Sequence, residues 1–113
     1  MSDCLFCRIA AGAIDADVVH SSEGVMAFRD VSPKAPTHLL VIPREHVASV
    51  ADLTASHEGL LVQMFDVIRS LAGRESLDGG YRVVTNVGAD AGQSVDHLHF
   101  HLLGGRALGW PPG

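Results

Sequence analysis

The chain lacks the features that would put it in a membrane or on a nucleic-acid polymer. No apolar run approaches the ~20 residues needed to cross a bilayer. Its start, Met1-Ser2-Asp3-Cys4, has no basic segment leading into an apolar stretch. No secretory leader is expected there, and the default location is cytoplasmic. Basic residues are scarce: eight Lys and Arg stand against thirteen Asp and Glu, for a net charge of −5 with histidine neutral. Long nucleic acids bind by releasing counterions to a basic face, so a polymeric nucleic-acid partner is not expected. A mononucleotide stays open, because a few local donors can hold one phosphate whatever the overall charge. Cysteine is limited to two residues. A reducing compartment disfavours a disulfide, so they read as metal ligands, redox groups or buried thiols. Internal repeats and low-complexity linkers are absent too, and 113 residues suit one compact domain, residues 1–113.

What is present is an ordinary globular balance, 47% hydrophobic and 19% charged, which supports a core. A domain of this size buries roughly two-thirds of its unfolded surface, so dimerisation would be a natural supplement. Seven histidines are unusual for the length.

The pattern along the chain is that of an α+β domain. Cys4 to Ala11, closed by Gly12, reads as a short helix. Asp17–Ser21 and Val25–Arg29 read as strands of a hairpin turning at Ser22-Glu23-Gly24. Two prolines make 32–36 a loop. Thr37–Ile42 is apolar and partly β-branched, hence a central strand ended by Pro43. From Ser56 to Ala72 the period becomes helical, with Leu60, Leu61, Met64, Phe65, Ile68, Leu71 and Ala72 on one stripe. Ser56 is the candidate cap, and Gly73 the candidate left-handed residue after the end. Tyr81–Asn86 and Asp96–Leu103 read as the last two strands, around a glycine-bearing loop at 87–94. Short connections favour an antiparallel five-stranded sheet with the long helix on one face.

The segment His97-Leu98-His99-Phe100-His101-Leu102-Leu103 stands out. On a strand alternate residues share a face, so the three imidazoles point one way and Leu98, Phe100 and Leu102 the other. Alternate residues lie about 6.5–7 Å apart. The apolar set is expected in the core and the histidines toward a cleft or solvent. A solvated polar face or a fortuitous metal site is the bland alternative. Three histidines in register weigh against it.

This motif resembles that of the histidine triad superfamily, His-φ-His-φ-His-φ-φ. The resemblance extends to 28–38 and 40–46, to Asn86-Val87-Gly88 with Gly92-Gln93-Ser94-Val95, and to the ending Gly104-Gly105-Arg106 with Trp110-Pro111-Pro112-Gly113. The ending resembles the Hint branch. It implies a homodimeric hydrolase of purine nucleoside 5′-phosphoramidates working through a nucleotidyl-histidine on His99. By the same resemblance His101 and Ser94 would contact the phosphate or the leaving amine, and His38 would orient the imidazoles. Amides of Gly92, Gln93, Ser94 and Val95 would complete an anion cradle needing no net positive charge. Asp30 would accept from the ribose hydroxyls, and Asn86 would bond substrate or ribose. Phe6, Ile9, Ile14, Phe28 and Val31 would sandwich the purine. For Asp30 the alternative is a turn before Ser32-Pro33. For the apolar set it is core packing. Trp110 would lie near the partner's site, since a large aromatic on an irregular tail needs a surface to cover.

Cys4-Leu5-Phe6-Cys7 is a CxxC, a weak signal alone. Several microbial members of the superfamily carry it and bind zinc with two more histidines. Here those would be His46 and His97, and two thiolates with two imidazoles suit a closed structural zinc site. His97 would then anchor the motif rather than relay protons. Asp96, where Hint-type proteins often have an aromatic, and Val87 and Ala89, in place of more polar residues, depart from the pattern. They bear on substrate preference. His20 and His57 read as surface or helix-start residues. Two other functions share the resemblance: dinucleoside polyphosphate cleavage or nucleotidyl transfer, and nucleotide binding with little turnover.

Overall fold

The computed structural model describes residues 3–113. Met1 and Ser2, which enter the reading of the N-terminus, lie outside the described residues. The elements are α1 (Leu5–Ala10), β1 (Val18–Ser21), β2 (Val25–Arg29), β3 (Thr37–Pro43), α2 (Glu58–Arg74), β4 (Tyr81–Val84) and β5 (Phe100–Gly104). All five strands pair antiparallel in the order β1-β2-β3-β5-β4. The expected α+β class, with one long and one short helix, is what forms. No helix among the described residues is long and apolar enough to cross a membrane.

β3 lies at the centre and is buried along its whole length, because both faces of the sheet are covered. On one face α2 packs Met64, Val67, Ile68 and Leu71 onto Leu39, Val41, Leu98, Phe100 and Leu102. On the other, α1 lays Phe6 and Ile9 over Met26, Phe28, Leu40 and Ile42. Register then builds a row across that second face: Val18 pairs with Phe28, Phe28 with Leu40, and Leu40 with His101. Strand spacing of about 4.8 Å makes this row roughly 14 Å long.

The structure corrects several local readings. The histidine segment joins the ladder only from Phe100. Residues 97–99 are held by other bonds: the Leu98 amide donates to the Val47 carbonyl at 2.6 Å, and the Thr85 hydroxyl donates to the His99 carbonyl at 2.9 Å. These bonds replace the ladder, so alternation of the side chains survives. The first two histidines are buried beneath α1, not turned to solvent. On α2 the core position falls to Val67, while Phe65 is 48% exposed and meets Phe100 at its edge, with centroids 5.1 Å apart. Ser56 does not cap α2: Thr54 and His57 form a capping box around the 3-10 turn Ala55–His57, and His57 is the residue that precedes α2. At the other end Ser76, not Gly73, takes the left-handed conformation (φ 58°), closed by Leu77 N–H to Ala72 O at 3.0 Å. A side chain there is strained. Ser76→Gly is therefore expected to stabilise the fold by about 0.5–1 kcal/mol, read as a higher urea midpoint at unchanged slope.

Candidate active site and metal cluster

Neighbouring backbone groups decide where each histidine carries its proton. The His97 carbonyl can only accept, so His99 Nδ1 donates to it at 2.7 Å, and the His99 Nε2 lone pair is left available. The Lys34 amide can only donate, and it meets His38 Nδ1 at 3.0 Å. His38 thus carries its proton on Nε2, which donates to His101 Nδ1 at 2.9 Å. His101 in turn keeps its proton on Nε2, an N–H it can offer to a bound group. One ring is set up to attack and the next to donate, with their centroids 5.1 Å apart.

These two rings line a cleft of about 480 Å³. Phe6, Ile9, Phe28 and Leu40 form its apolar floor, and Ser94 and Val95 stand on the side of the histidines. Asp30 lies in the wall. Its Oδ1 accepts from the Ser32 amide at 2.8 Å, and its Oδ2 is 3.6 Å from His38 Nε2, so it forms the turn and faces the site as well. Val31 sits at the rim, fully exposed. Asp15, Asp17 and Arg29 complete the wall. No motif marks them in the sequence, although the i, i+2 period of β3 points to Leu40. Glu75 grips the Arg29 guanidinium with bonds of 2.9 and 3.1 Å.

Not every expected contact residue reaches this cleft. Ile14 packs against the apolar cluster beneath α1. Asn86 is not in the wall. The Gly92 and Gln93 amides close back on the Ala89 and Gly88 carbonyls at 3.0 and 3.1 Å. The Gln93 side chain braces its own loop, accepting from Gly88 N–H and donating to the Ala48 and Val95 carbonyls. The cradle expected from four amides thus narrows to the Ser94–Val95 stretch. Trp110 is 81% exposed, under the Arg82 guanidinium on β4, and outside the wall.

Cys4, Cys7, His46 and His97 converge beside the cleft, with one ligand atom from each within 4.8 Å of all the others. Cys4 Sγ and Cys7 Sγ lie 3.3 and 3.5 Å from His97 Nδ1. His46 Nδ1 is 3.3 Å from Cys7 Sγ and 3.2 Å from His97 Nδ1. A tetrahedral zinc, with Zn–S near 2.3 Å and Zn–N of 2.0–2.1 Å, needs S–N edges of about 3.6 Å and N–N edges of about 3.3 Å. The residues fit that ion. His97 Nε2 donates to the Pro43 carbonyl at 2.8 Å, which fixes the tautomer with Nδ1 free to ligate. Asp96 lines a depression with Cys4 and His46, on the metal side rather than in the cleft. His57 belongs to the α2 cap, and His20 Nε2 lies 3.0 Å from the Ser22 hydroxyl.

Burial holds His38 and His101 neutral. His101 is pushed down to about 4, by desolvation first, then by the neighbouring His99 and His38, against the pull of Asp30. Desolvation also lowers His38, with Asp30 opposing and Lys34 reinforcing. An unfolded chain protonates these rings near pH 6.5. Between about pH 4 and 6.5 it therefore binds more protons than the fold does, and stability falls as pH drops through that window. The thermal midpoint is expected to be lower at pH 5 than at pH 7.5, with a shallower dependence in His38→Gln. A midpoint unchanged between those pH values would contradict the assignment.

Comparison with known proteins gives the arrangement its relatives. A family model described as "Scavenger mRNA decapping enzyme C-term binding" matches residues 3–108. A crystal structure of a HIT family hydrolase from Legionella pneumophila Philadelphia 1 superposes with a TM-score of 0.97 at 48% identity, covering 98% of this chain and 100% of that one. The chain belongs to the histidine triad family. Its relatives include the purine nucleoside phosphoramidase of Escherichia coli K12, 43% identical over 106 residues, 93% of this chain and 89% of that protein. Another is the 14 kDa zinc-binding protein of Zea mays, 43% identical over 114 residues, 99% of this chain and 89% of that protein. In this histidine triad protein the matched stretch takes in both cysteines, the cleft and all three histidines of the motif, and it ends before Trp110.

Proposed function

We propose that the protein hydrolyses the P–N bond of purine nucleoside 5′-phosphoramidates. The observation that carries this is the pair of opposed tautomers: His99 Nε2 with its lone pair free and His101 Nε2 with its proton, side by side in one cleft. His99 Nε2 attacks the α-phosphorus, and the P–N bond to the amine breaks. The P–N nitrogen leaves as the amine with a proton supplied by solvent, while the His101 Nε2–H hydrogen-bonds the phosphoryl oxygens on which charge builds. Water then attacks the phosphorus of the nucleotidyl-histidine, loses its proton to solvent, restores His99, and releases the nucleoside monophosphate. Ser94 and the neighbouring Val95 amide contact the phosphoryl oxygens, and Asp30 accepts from the ribose. The purine lies over Phe6, Ile9, Phe28 and Leu40. The name of the E. coli relative supports this substrate class.

Cys4, Cys7, His46 and His97 hold a structural zinc, with four protein ligands and no open position for substrate. The tetrahedral edge lengths support this, as does the name of the maize relative.

The protein acts as a homodimer. α2 and the edge strand β4 leave Val62, Phe65 and Tyr81 exposed around an apolar depression of about 610 Å³. A bare strand edge beside an apolar face favours a second chain there. Light scattering at micromolar concentration is expected to give a dimer, and Phe65→Glu a monomer. A wild-type monomer refutes this.

A panel assay tests the function, with an adenosine phosphoramidate, a diadenosine polyphosphate and adenosine monophosphate binding. Cleavage of the first supports the proposal. Preferential cleavage of the second, or binding without turnover, overturns it in favour of a polyphosphate hydrolase or a binding module.

A further inference from the structure

The metal cluster and the cleft are joined by one side chain. Phe6 lies between Cys4 and Cys7 in a helix of only six residues. A helix this short does not hold its own position and depends on what ties it down. Three ties stand out among the described residues. The apolar contacts of Phe6 and Ile9 form one. A bond from the Arg44 guanidinium to the Ala10 carbonyl, 2.7 Å, forms the second. The cysteines beside His97 and His46 form the third.

The Phe6 ring is buried and touches both sites. It meets His99 edge-on, with centroids 5.1 Å apart and planes at 88°, and Phe28 at 5.5 Å and 71°. It also meets His97, one of the cluster residues, at 6.0 Å and 75°. The same ring forms part of the cleft wall. An ion held by residues 4 and 7 therefore fixes the residue between them against His99. A base lying on Phe6 presses that ring, and α1 with it, toward the geometry in which the cysteines meet the two histidines.

We propose that Phe6 couples the two sites, so that a bound zinc ion and a bound nucleoside monophosphate each strengthen the binding of the other. The proposal rests on the nucleotide reading of the cleft and on the zinc reading of the cluster. Phe6 is here a positioning residue as well as a wall. Linkage requires the effect to be reciprocal: the factor by which zinc tightens the nucleotide equals the factor by which the nucleotide tightens zinc.

The test measures zinc affinity of the full-length protein by competition with a chromophoric chelator, with and without saturating adenosine monophosphate, in the wild type and in Phe6→Leu. Circular dichroism follows the fold throughout. In the wild type the nucleotide is expected to tighten zinc about five- to tenfold. In Phe6→Leu, with adenosine monophosphate raised until the zinc-loaded variant is saturated, the effect of the nucleotide on zinc affinity is expected to fall within about twofold of none, whatever the zinc affinity without nucleotide. A wild-type ratio within twofold of one overturns the coupling. The same ratio persisting in Phe6→Leu overturns it too, since the linkage would then run through global folding. Failure of the nucleotide reading looks different: adenosine monophosphate would not bind the zinc-loaded protein at all. Failure of the zinc reading would appear as no zinc to compete for.

Discussion

Replacing His99 by alanine is expected to lower hydrolysis of an adenosine 5′-phosphoramidate by at least about 10⁴-fold, because it removes the group proposed to form the bond to phosphorus. The buried carbonyl of His97 holds His99 Nδ1–H at 2.7 Å, so the lone pair of the proposed nucleophile, on Nε2, is set before any substrate arrives. No neighbouring ring can take its place. His101 Nδ1 is occupied by His38 Nε2–H, and its Nε2 bears a proton. His101→Ala should cost less, on the order of 10²–10³-fold, as expected for loss of one hydrogen bond to the developing charge. The two variants should also differ in kind. His101→Ala can still form the nucleotidyl adduct, visible by intact-mass spectrometry after mixing, whereas His99→Ala cannot. Binding of adenosine monophosphate should change only a few-fold in either, since the floor of the cleft is untouched. Cleavage by His99→Ala at a rate near the wild type would end the covalent mechanism.

Stripping the metal, or replacing both ligands in Cys4→Ser/Cys7→Ser, is expected to produce the largest loss of stability. A ligand that binds only the folded state contributes RT ln(1 + [L]/Kd), about 4 kcal/mol when free zinc exceeds Kd a thousandfold. For a domain of this size that corresponds to a fall in Tm on the order of 15 °C or more. The cluster has this leverage because its ligands lie far apart in sequence. It joins α1 to the loop after β3, through His46, and to the segment before β5, through His97. An ion there ties three otherwise separate pieces of the N-terminal side of the sheet together. Metal analysis alongside calorimetry checks this. Protein purified without metal yet with an unchanged Tm would show that the four residues pack without an ion.

Some of the expected site residues are now placed differently from one another. Phe6, Ile9, Phe28, Asp30 and Val31 reach one cleft with His99 and His101. Gln93 does not, because an amide side chain near unpaired backbone groups satisfies those first, here Gly88, Ala48 and Val95. No periodicity reports such a choice. The same applies to Ser76, whose left-handed turn follows from where α2 must end to place Leu77 in the core. Phe65 lies on the helical stripe at its margin. The sheet covers only part of it, and the remainder faces outward with Tyr81 and Val62.

By itself the sequence determined the α+β class, the strand and helix order, and the alternation that sends three imidazoles one way and three apolar side chains the other. Those are local properties, set by side-chain period and by turn-forming residues, and they survive even where the ladder does not. The resemblance implied a division of the three histidines; only the tertiary structure supplied its physical basis. Their proton positions depend on the His97 and Pro43 carbonyls, on the Lys34 amide, and on His38 across the strand pair. Their company depends on α1 folding over one end of the row, which brings Cys4 and Cys7 to His97 and lays Phe6 on His99. Two of these bonds, His97 to Pro43 and His38 to His101, join residues more than fifty positions apart, and such pairs leave no trace in a local pattern; they form only once the chain has closed on itself.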